Sequence, residues 1–338
     1  MEAEVTIVMV PRERYSAIVT TIQSIYDNTE IPFKLVVVEG ALPDSVKNEI
    51  EALVKKYKFD FIYKPYPLNP NEARNIGLDY VDTEYMVFSD NDIIFTPNWL
   101  TTLLNTAKEY DAWLVGPTIL DGEIEDGNIH ATAGASYFDE INGKRYYHFV
   151  PGNMGKNLSD DIELIRGPTT MLEFHVILCA SHIFEKIGKL DEKMSSFGDH
   201  DDFIYSVLAK NGIVIFEPNS VVSYHDPGTN ISVVEKDDFP FFLLRWSDEW
   251  NFSSVDQAAE KWGLADDDRW ITHSKNWAQV RRRKSYYLGG LVGRIIGFIL
   301  YKISEPIGKQ LESLFYKKHT QALRALRQKH LGNAQSSD

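Results

Sequence analysis

The hydrophobic positions in the first third of the chain follow two spacings in turn. Short, unbroken runs of aliphatic and β-branched residues indicate buried strands, and apolar residues repeated every three or four positions indicate the buried face of a helix. These patterns predict strands at residues 5–10, 35–38, 59–63, 85–89 and 112–116. They predict helices between the strands, at residues 15–27, 44–57, 71–80 and 97–110.

Alternating strands and helices of this kind are typical of an α/β domain. The expected architecture is a Rossmann-like, mostly parallel sheet with helices on both faces. In such sheets, ligands bind where loops leave the carboxyl ends of the strands. Polar segments follow the predicted strands at residues 11–14, 39–40 and 89–92. We therefore expect the functional site at that edge of the sheet.

The second half of the chain has a less regular pattern. Residues 121–170 are rich in Gly, Asn and Asp and are interpreted as loops and irregular strands. Further strands are predicted at residues 171–180, 214–218 and 221–224, and helices at residues 181–188 and 198–211. Residues 240–280 contain five of the seven tryptophans. We interpret them as helix-packing core, with stacking on an acceptor sugar as the alternative.

The formal net charge of −14 is divided unevenly along the chain. Residues 281–338 carry 12 Lys and Arg against 3 Asp and Glu, whereas the rest of the chain carries 23 against 46. An acidic body disfavours nucleic-acid binding. A basic tail favours either an anionic partner, such as a membrane surface, or docking on the acidic body.

The tail has three parts in order. A basic cluster at residues 281–284 precedes an apolar stretch in which Gly289, Gly293 and Gly297 recur every fourth residue. Arg294 and Lys302 interrupt that stretch, which argues against a free membrane span. Residues 309–330 then combine apolar and basic side chains, as in a helix lying in a membrane interface. The alternative is a helical hairpin packed on the body or on a second subunit, which would make a homo-oligomer.

The cysteine content and the first residues bear on location. Cys179 is the only cysteine, so no internal disulfide can form and a reducing compartment is expected. The sequence MEAEVTIVMVP lacks the basic and apolar regions of a signal peptide. We therefore expect a cytoplasmic protein, with peripheral attachment to the inner face of a membrane as a further expectation from the tail.

The clearest chemical motif follows the fourth predicted strand. Asp90, Asn91 and Asp92 come directly after the apolar run at residues 85–89. Two carboxylates spaced by one residue repel each other unless a cation lies beside them. Mn²⁺ or Mg²⁺ accepts such oxygen ligands and would also hold a diphosphate. The motif therefore predicts a metal-dependent site for a phosphorylated ligand.

A second cluster begins the predicted helix at residues 198–211, where Asp199, His200, Asp201 and Asp202 follow a glycine. A carboxylate at a helix start can cap free backbone N–H groups, but one would suffice for that. His225 follows the predicted strand at residues 221–224, where a neutral imidazole would suit Mn²⁺. The other histidines considered are interpreted as structural: His130, His148, His175 and His182.

Taken in order, these segments resemble family 2 glycosyltransferases of the GT-A fold. The matching pieces of the first half are VTIVMVP, YSAIVTTIQSIYDNT, LVVVEG, NEARNIGL and FSDND. Those of the second half are FEKIGKLDEKM and SFGDHDDFIYSVLAKNG. The resemblance covers roughly residues 4–228 and implies a GT-A domain at residues 1–235. A Trp-rich helical segment at residues 236–280 and the basic amphipathic tail at residues 281–338 would form a helical C-terminal extension.

The resemblance also implies roles for individual residues. The donor nucleotide sugar, UDP- or GDP-linked, would be bound by Pro11, Arg14, Glu39, Arg74, Asn75, Asp90 and Asn91. The metal would be held by Asp92, with His225 as a second ligand. The family's catalytic base lies in an acidic pair, usually Glu-Asp, from which this sequence departs. Asp201 is the first candidate for the base and Asp199 the second, with Asp202 as a further catalytic residue.

The implied activity is transfer of a sugar to a hydroxyl acceptor, with inversion of the anomeric centre. The acceptor could be a glycan, a lipid-linked molecule or a small molecule. Retaining transfer is an alternative, since GT-A enzymes of both kinds share the metal site. A sugar nucleotidyltransferase would need a Gly-rich phosphate loop, which residues 10–14 lack. A non-catalytic carbohydrate-binding protein of the same fold is the third alternative, and the two acidic clusters argue against it.

Overall fold

The computed structural model describes residues 2–224, 237–284 and 307–335. Its strands are β1 Val5–Val10, β2 Phe33–Gly40, β3 Asp60–Lys64, β4 Tyr85–Asp90, β5 Ile93–Phe95, β6 Leu114–Asp121, β7 Ile129–Ala131, β8 Ala135–Ile141, β9 Lys144–Val150, β10 Gly167–Pro168, β11 Val176–Ala180 and β12 Val214–Tyr224.

The helices of the first half are α1 Ile18–Asn28, α2 Asp44–Tyr57, α3 Pro70–Leu78 and α4 Trp99–Tyr110. Those of the second half are α5 Phe184–Ile187, α6 Asp199–Leu208, α7 Phe239–Arg245, α8 Asp248–Trp262, α9 Arg269–Lys284 and α10 Ile307–Gln335. Short 3₁₀ turns lie at Ile124–Asp126 and Ser181–Ile183.

The central sheet has the strand order β10-β12-β6-β11-β4-β1-β2-β3. Strands β1 to β4 pair in parallel, and helices connect them. Every residue of β1 and of β4 is buried, as expected for central strands covered by helices on both faces. The pairing of Val10 with Asp90 brings the carboxyl ends of β1 and β4 to one edge. The predicted α/β fold with a mostly parallel sheet is confirmed.

The second half of the sheet departs from simple alternation. β11 lies between β4 and β6 and runs antiparallel to both. β12 is one long strand with an irregularity between Glu217 and Val221, where the sequence pattern suggested two strands. β8 and β9 form a separate hairpin within residues 121–170, which were expected to be irregular. The antiparallel β11 brings its first residues to the same edge as the end of β4.

The tryptophans of the helical segment are mainly packing residues. Trp246, Trp250 and Trp262 are buried, whereas Trp277 is 41% exposed. Trp250 belongs to the main core, and Trp262 forms a smaller cluster with Tyr147. The core interpretation therefore holds for the three buried tryptophans.

The C-terminal helix α10 contacts the body. Arg327 donates two hydrogen bonds of 2.6 Å to the carboxylate of Glu72, one from each of its Nη atoms. Arg324 pairs with Glu249 at 2.8 Å, and Leu323 packs against the main core. Across the described ranges, no helix is both long and apolar enough to span a membrane. The Gly-spaced stretch of the tail lies outside the described residues.

Candidate active site

The site begins at Asp90, the last residue of β4, and the turn that follows it. Asp90, Asn91 and Asp92 are all fully buried there. The Asn91 amide donates to Glu39 Oε1 at 2.7 Å, and Asn91 Oδ1 accepts from the Arg12 amide at 3.1 Å. Asn91 thus joins the ends of β1 and β2 and fixes the turn on which both aspartates lie.

The carboxylate of Asp92 has no partner of its own. Within the part of the chain that the structure describes, neither of its oxygens accepts a hydrogen bond. Burial, together with the neighbouring charge of Asp90, raises the pKa of Asp92 to about 8. A buried carboxylate without hydrogen bonds is costly, and a cation is the usual means of satisfying it.

A histidine completes the cluster from another strand. Ligand atoms of Asp90, Asp92 and His175 all lie within 4.8 Å of one another. His175 precedes β11, and its carbonyl accepts from the Asp90 amide at 3.0 Å, so strand pairing places it beside Asp90. Burial lowers the pKa of His175, which favours the neutral imidazole needed for metal coordination. Two carboxylates and an imidazole suit a transition ion such as Mn²⁺, and the two carboxylates alone would suit Mg²⁺.

A second imidazole supports the first. His175 Nε2 lies 3.1 Å from His130 Nε2, and His130 Nδ1 lies 2.9 Å from Asp121 Oδ1. A chain of this kind fixes the tautomer and ring orientation of a metal-binding histidine. Sequence reasoning treated both histidines as structural and missed this group. The available signal was the pair of polar residues Glu173 and His175 just before an apolar strand.

Three positive or polarisable groups surround Asp90. Arg74 Nη2 lies 3.2 Å from Asp90 Oδ1, Arg12 Nε lies 3.4 Å from Oδ2, and His175 Nδ1 lies 2.9 Å from Oδ2. Burial alone would raise the pKa of Asp90, but Arg12, His175 and Arg74 lower it. Asp90 therefore stays ionised beside Asp92, and the two aspartates have different environments.

The remaining predicted donor residues border this cluster. Glu39 is fully buried at the end of β2, and burial raises its pKa to about 8. Pro11 is buried directly after β1, and the Arg14 guanidinium lies 5.8 Å from the centroid of the Tyr224 ring. The Asn75 side chain instead donates from Nδ2 to the Leu190 carbonyl and accepts at Oδ1 from the Leu190 N–H, which ties α3 to a distant loop.

Arg74 connects the two acidic clusters of the sequence. Its Nη1 donates to Asp199 Oδ2 at 2.8 Å, while Nη2 reaches Asp90. α3 begins with a capping box between Asn69 and Glu72, which fixes the helix that carries Arg74. The strand-end aspartates and the start of α6 therefore belong to one network.

The acids at the start of α6 have distinct surroundings. Asp199 pairs with Arg74, whereas Asp202 accepts from Lys261 at 2.7 Å and from the Trp262 indole at 3.1 Å. Asp202 is thus bonded to α8. Asp201 is buried, and its Oδ1 has no hydrogen-bond partner among the described residues. Burial raises the pKa of Asp201, which suits a general base.

His200 lies among three carboxylates. Its ring nitrogens are 3.4 Å from Asp201, 3.6 Å from Asp199 and 3.9 Å from Glu173. Burial would lower the pKa of His200, but Asp201, Glu173 and Asp199 raise it to about 10. His200 is therefore a cation at neutral pH and extends the network from Arg74 to Asp201.

The structure brings most of the predicted residues together. Through Arg74, the network joins the turn at residues 90–92 to the start of α6, with Glu39 attached through Asn91. Asn75 and Asp202 bond to structural partners beside it. His225, expected as the second metal ligand, lies outside the described residues.

Comparison with known proteins shows a similarity to a sequence family and to solved structures. Residues 6–162 match the family model described as glycosyl transferase family 2. Two curated relatives, the pre-mycofactocin glycosyltransferases of two Mycobacterium tuberculosis strains, are each 24% identical over 172 residues. That match covers 51% of this chain and 33% of the relatives, so it spans about a third of their length.

Solved structures extend the likeness beyond the family match. GalNAc-T7 with UDP, GalNAc and Mn²⁺ has a TM-score of 0.52 at 13% identity, covering 82% of this chain and 54% of its own. The mannosyltransferase PcManGT of Pyrobaculum calidifontis, with GDP-Man and Mn²⁺, has a TM-score of 0.50 at 13% identity, covering 100% and 89%. S. aureus TarS has a TM-score of 0.50 at 12% identity, covering 96% and 50%. At these identities the likeness shows the fold, and it confirms the GT-A prediction.

Proposed function

We propose, from the match of residues 6–162 to the glycosyl transferase family 2 model, that this chain transfers a sugar from a nucleotide-diphosphate sugar to a hydroxyl acceptor. The observation that carries the proposal is the buried cluster of Asp90, Asp92 and His175 at the carboxyl edge of the sheet. Similar folds have been solved with UDP and Mn²⁺ and with GDP-Man and Mn²⁺, which supports a donor of this class.

The donor side of the proposal rests on charge. Asp92, His175 and Asp90 would hold Mn²⁺ or Mg²⁺, which when bound stabilises the negative charge of a leaving diphosphate. Arg12 lies beside this cluster and can bind phosphate oxygens through its guanidinium. Glu39 lies at the end of the adjacent strand, where its carboxyl group can accept from a base or a ribose hydroxyl.

Of the candidate bases for the acceptor hydroxyl, Asp201 is better suited than Asp199. Asp199 is paired with Arg74, and although burial would raise its pKa, His200 and Arg74 hold it well below the usual range. A base must take a proton near neutral pH, so Asp199 is poorly suited. Oδ1 of Asp201 lies 3.4 Å from His200 but accepts no hydrogen bond from the described residues, and burial raises the pKa of Asp201. Direct attack by an acceptor hydroxyl deprotonated by Asp201 inverts the anomeric centre.

The experiment measures donor binding and transfer separately. Purified protein is titrated with UDP, GDP and their sugars, with and without Mn²⁺, by thermal shift, because a bound ligand raises apparent stability. Transfer is then measured on a panel of glycans, lipid-linked saccharides and small hydroxyl compounds. The anomeric configuration of the product, read by NMR, distinguishes inversion from retention.

Two variants and a matched control sharpen the test. Asp92→Asn is expected to abolish transfer and the Mn²⁺-dependent part of nucleotide affinity. Asp201→Asn is expected to abolish transfer but to keep nucleotide affinity, because it lies on the acceptor side. Asp27→Asn, on the exposed face of α1, should behave as wild type. Full transfer by Asp92→Asn in the presence of a chelator would contradict the proposal.

A further inference from the structure

A pocket lies between the β8–β9 hairpin and α6, and Asp201 is part of its lining. It has a volume of about 310 Å³. The hairpin contributes Phe138 and Tyr147, which are directly paired across the two strands. α6 contributes Asp201, Tyr205 and Leu208, which the helical repeat places on one face. The end of α8 closes the pocket with Trp262.

The walls of the pocket are aromatic and fixed by their neighbours. The Phe138 ring centroid lies 5.0 Å from that of Tyr205 and 5.8 Å from that of Trp262. The Tyr147 ring lies 5.0 Å from Trp262. The Arg145 guanidinium lies over the Phe138 ring, 4.0 Å from its centroid. Aromatic faces held in this way bind the C–H face of a ring with little loss of side-chain entropy.

The inner end of the pocket is polar. Oδ1 of Asp201 and the hydroxyl of Tyr147 are buried there. The two side chains interact with each other, and Oδ1 lies 3.4 Å from His200, but neither oxygen has a well-aligned hydrogen-bond partner in the described part of the chain. The side chain of Asp201 is only 4% exposed. An apolar ligand would add no hydrogen bond to these oxygens, whereas a hydroxylated ligand could donate a well-aligned one to Asp201. An anionic ligand would be repelled by the carboxylate.

The outer end of the pocket opens to solvent. Tyr205 is 38% exposed, and Ala209 at the end of α6 is also exposed. The volume is at the low end for ligand sites, which suits one ring and excludes several. A longer molecule could therefore leave through this opening while a single terminal ring fills the pocket.

We propose that this pocket binds a neutral pyranose ring of the acceptor and presents one of its hydroxyl groups to Asp201. The inference rests on the proposed function, because it assigns the acceptor of that reaction to the sugar class. The contacts from the pocket to the metal cluster support this assignment. Asp201 lines the pocket and lies 3.4 Å from His200. His200 in turn contacts Asp199, and Arg74 joins Asp199 to Asp90.

The test uses sugar binding, which does not require turnover. Methyl pyranosides of glucose, galactose, mannose and N-acetylglucosamine are titrated by saturation-transfer NMR, with and without Mn²⁺ and UDP or GDP. Cyclohexanemethanol serves as an apolar ring of similar size. We expect at least one pyranoside to bind saturably and to bind more tightly than the apolar ring.

Two variants change the pocket without touching the proposed catalytic groups. Tyr205→Ala removes one stacking wall and should raise the pyranoside Kd roughly threefold to tenfold, the range for one aromatic contact. Ala209→Trp fills the opening and should abolish binding. Tyr110→Ala is the matched control, because this tyrosine also ends a helix and is 37% exposed but lies outside the pocket.

The outcomes separate the two proposals. No saturable pyranoside binding, or equal affinity in the Tyr205→Ala and Tyr110→Ala variants, would overturn the pocket assignment. Tighter binding of cyclohexanemethanol would overturn the sugar class. Nucleotide binding by the same protein is scored independently. Pyranoside binding without any nucleotide-sugar binding would preserve the pocket and reject the transferase.

Discussion

Replacing Arg74 by methionine tests the link between the two acidic clusters. The guanidinium lies 2.8 Å from Asp199 and 3.2 Å from Asp90, and the side chains of all three are at most 1% exposed. The same group lies 3.7 Å from the centroid of the Phe174 ring. Methionine has a similar volume but no charge, so Arg74→Met leaves both carboxylates in place and removes the cation they share.

The expected loss in the free energy of unfolding depends on which cationic partners each carboxylate keeps. Removing one partner of a buried ion pair costs about 3–5 kcal/mol, because the other charge is left uncompensated. Asp90 keeps Arg12 and His175, whereas Asp199 keeps only its neighbour His200 within ion-pair distance among the described residues. We therefore expect a loss of about 3 kcal/mol in the free energy of unfolding, mostly from Asp199.

Urea unfolding of wild type, two single variants and one double variant measures this cost. Arg74→Lys keeps the charge but cannot reach both carboxylates with a planar fork, so it should also be destabilised. Adding Asp199→Asn to Arg74→Met should recover much of the loss, because it removes the uncompensated charge. A double variant as unstable as Arg74→Met would refute the reasoning.

The pH dependence gives an independent check. Burial would raise the pKa of Asp199, but His200 and Arg74 hold it far below its usual range. A depressed carboxyl pKa contributes stability above the unfolded value of about 3.9, and this stability is lost as pH falls through the folded pKa. Without Arg74 the pKa of Asp199 rises, so the variant's deficit should narrow as the pH is lowered from 7 to about 4. A deficit that widens over this range would also contradict the assignment.

Three further perturbations test other contacts. Asp238→Ala removes an acceptor of two backbone amides and one hydroxyl in the loop after β1, so faster amide exchange in that loop and weaker nucleotide binding are expected. Burial would raise the pKa of Glu13, but Arg281 and other arginines lower it to about 2. The ionised Glu13 therefore stabilises the folded state at pH values above the pKa that it has in the unfolded chain. The Glu13→Gln variant should therefore lose less stability than wild type between about pH 4.5 and 2, as measured by acid titration with circular dichroism. Arg327→Gln should cost about 1–3 kcal/mol in urea and expose α10 to protease, whereas the exposed Lys329→Gln should not.

Local sequence patterns predicted the parallel half of the sheet well. β1 at Val5–Val10 and α2 at Asp44–Tyr57 have the predicted bounds, because each is set by its own periodicity. The β8–β9 hairpin was not predicted. Its outward face mixes exposed Tyr137 and Ile141 with charged residues, so the usual alternation of apolar and polar positions is weak.

The residues of the site also fall into those that local sequence reveals and those that it does not. Asp90 and Asp92 could be found because they directly follow a buried strand on the same stretch of chain. His175 could not, because it reaches Asp90 only when β11 pairs antiparallel to β4, across 85 residues of sequence. The contact between Arg74 and Asp199 likewise joins residues 125 apart. Such pairings depend on tertiary packing, which no local period encodes.

Charge alone left two interpretations of the basic tail open, membrane binding and docking on the acidic body. The contacts of α10 bear on both. Arg324 and Arg327 pair with acidic groups of the body, and Leu323 packs on the core, so part of the basic and apolar surface of α10 is already used. A lysine or arginine near an anionic bilayer contributes about 1 kcal/mol, but a paired one must first break its ion pair. Glu72 accepts from Arg327 and also caps α3, which carries Arg74. Membrane binding that displaced α10 would therefore be expected to alter the donor site as well.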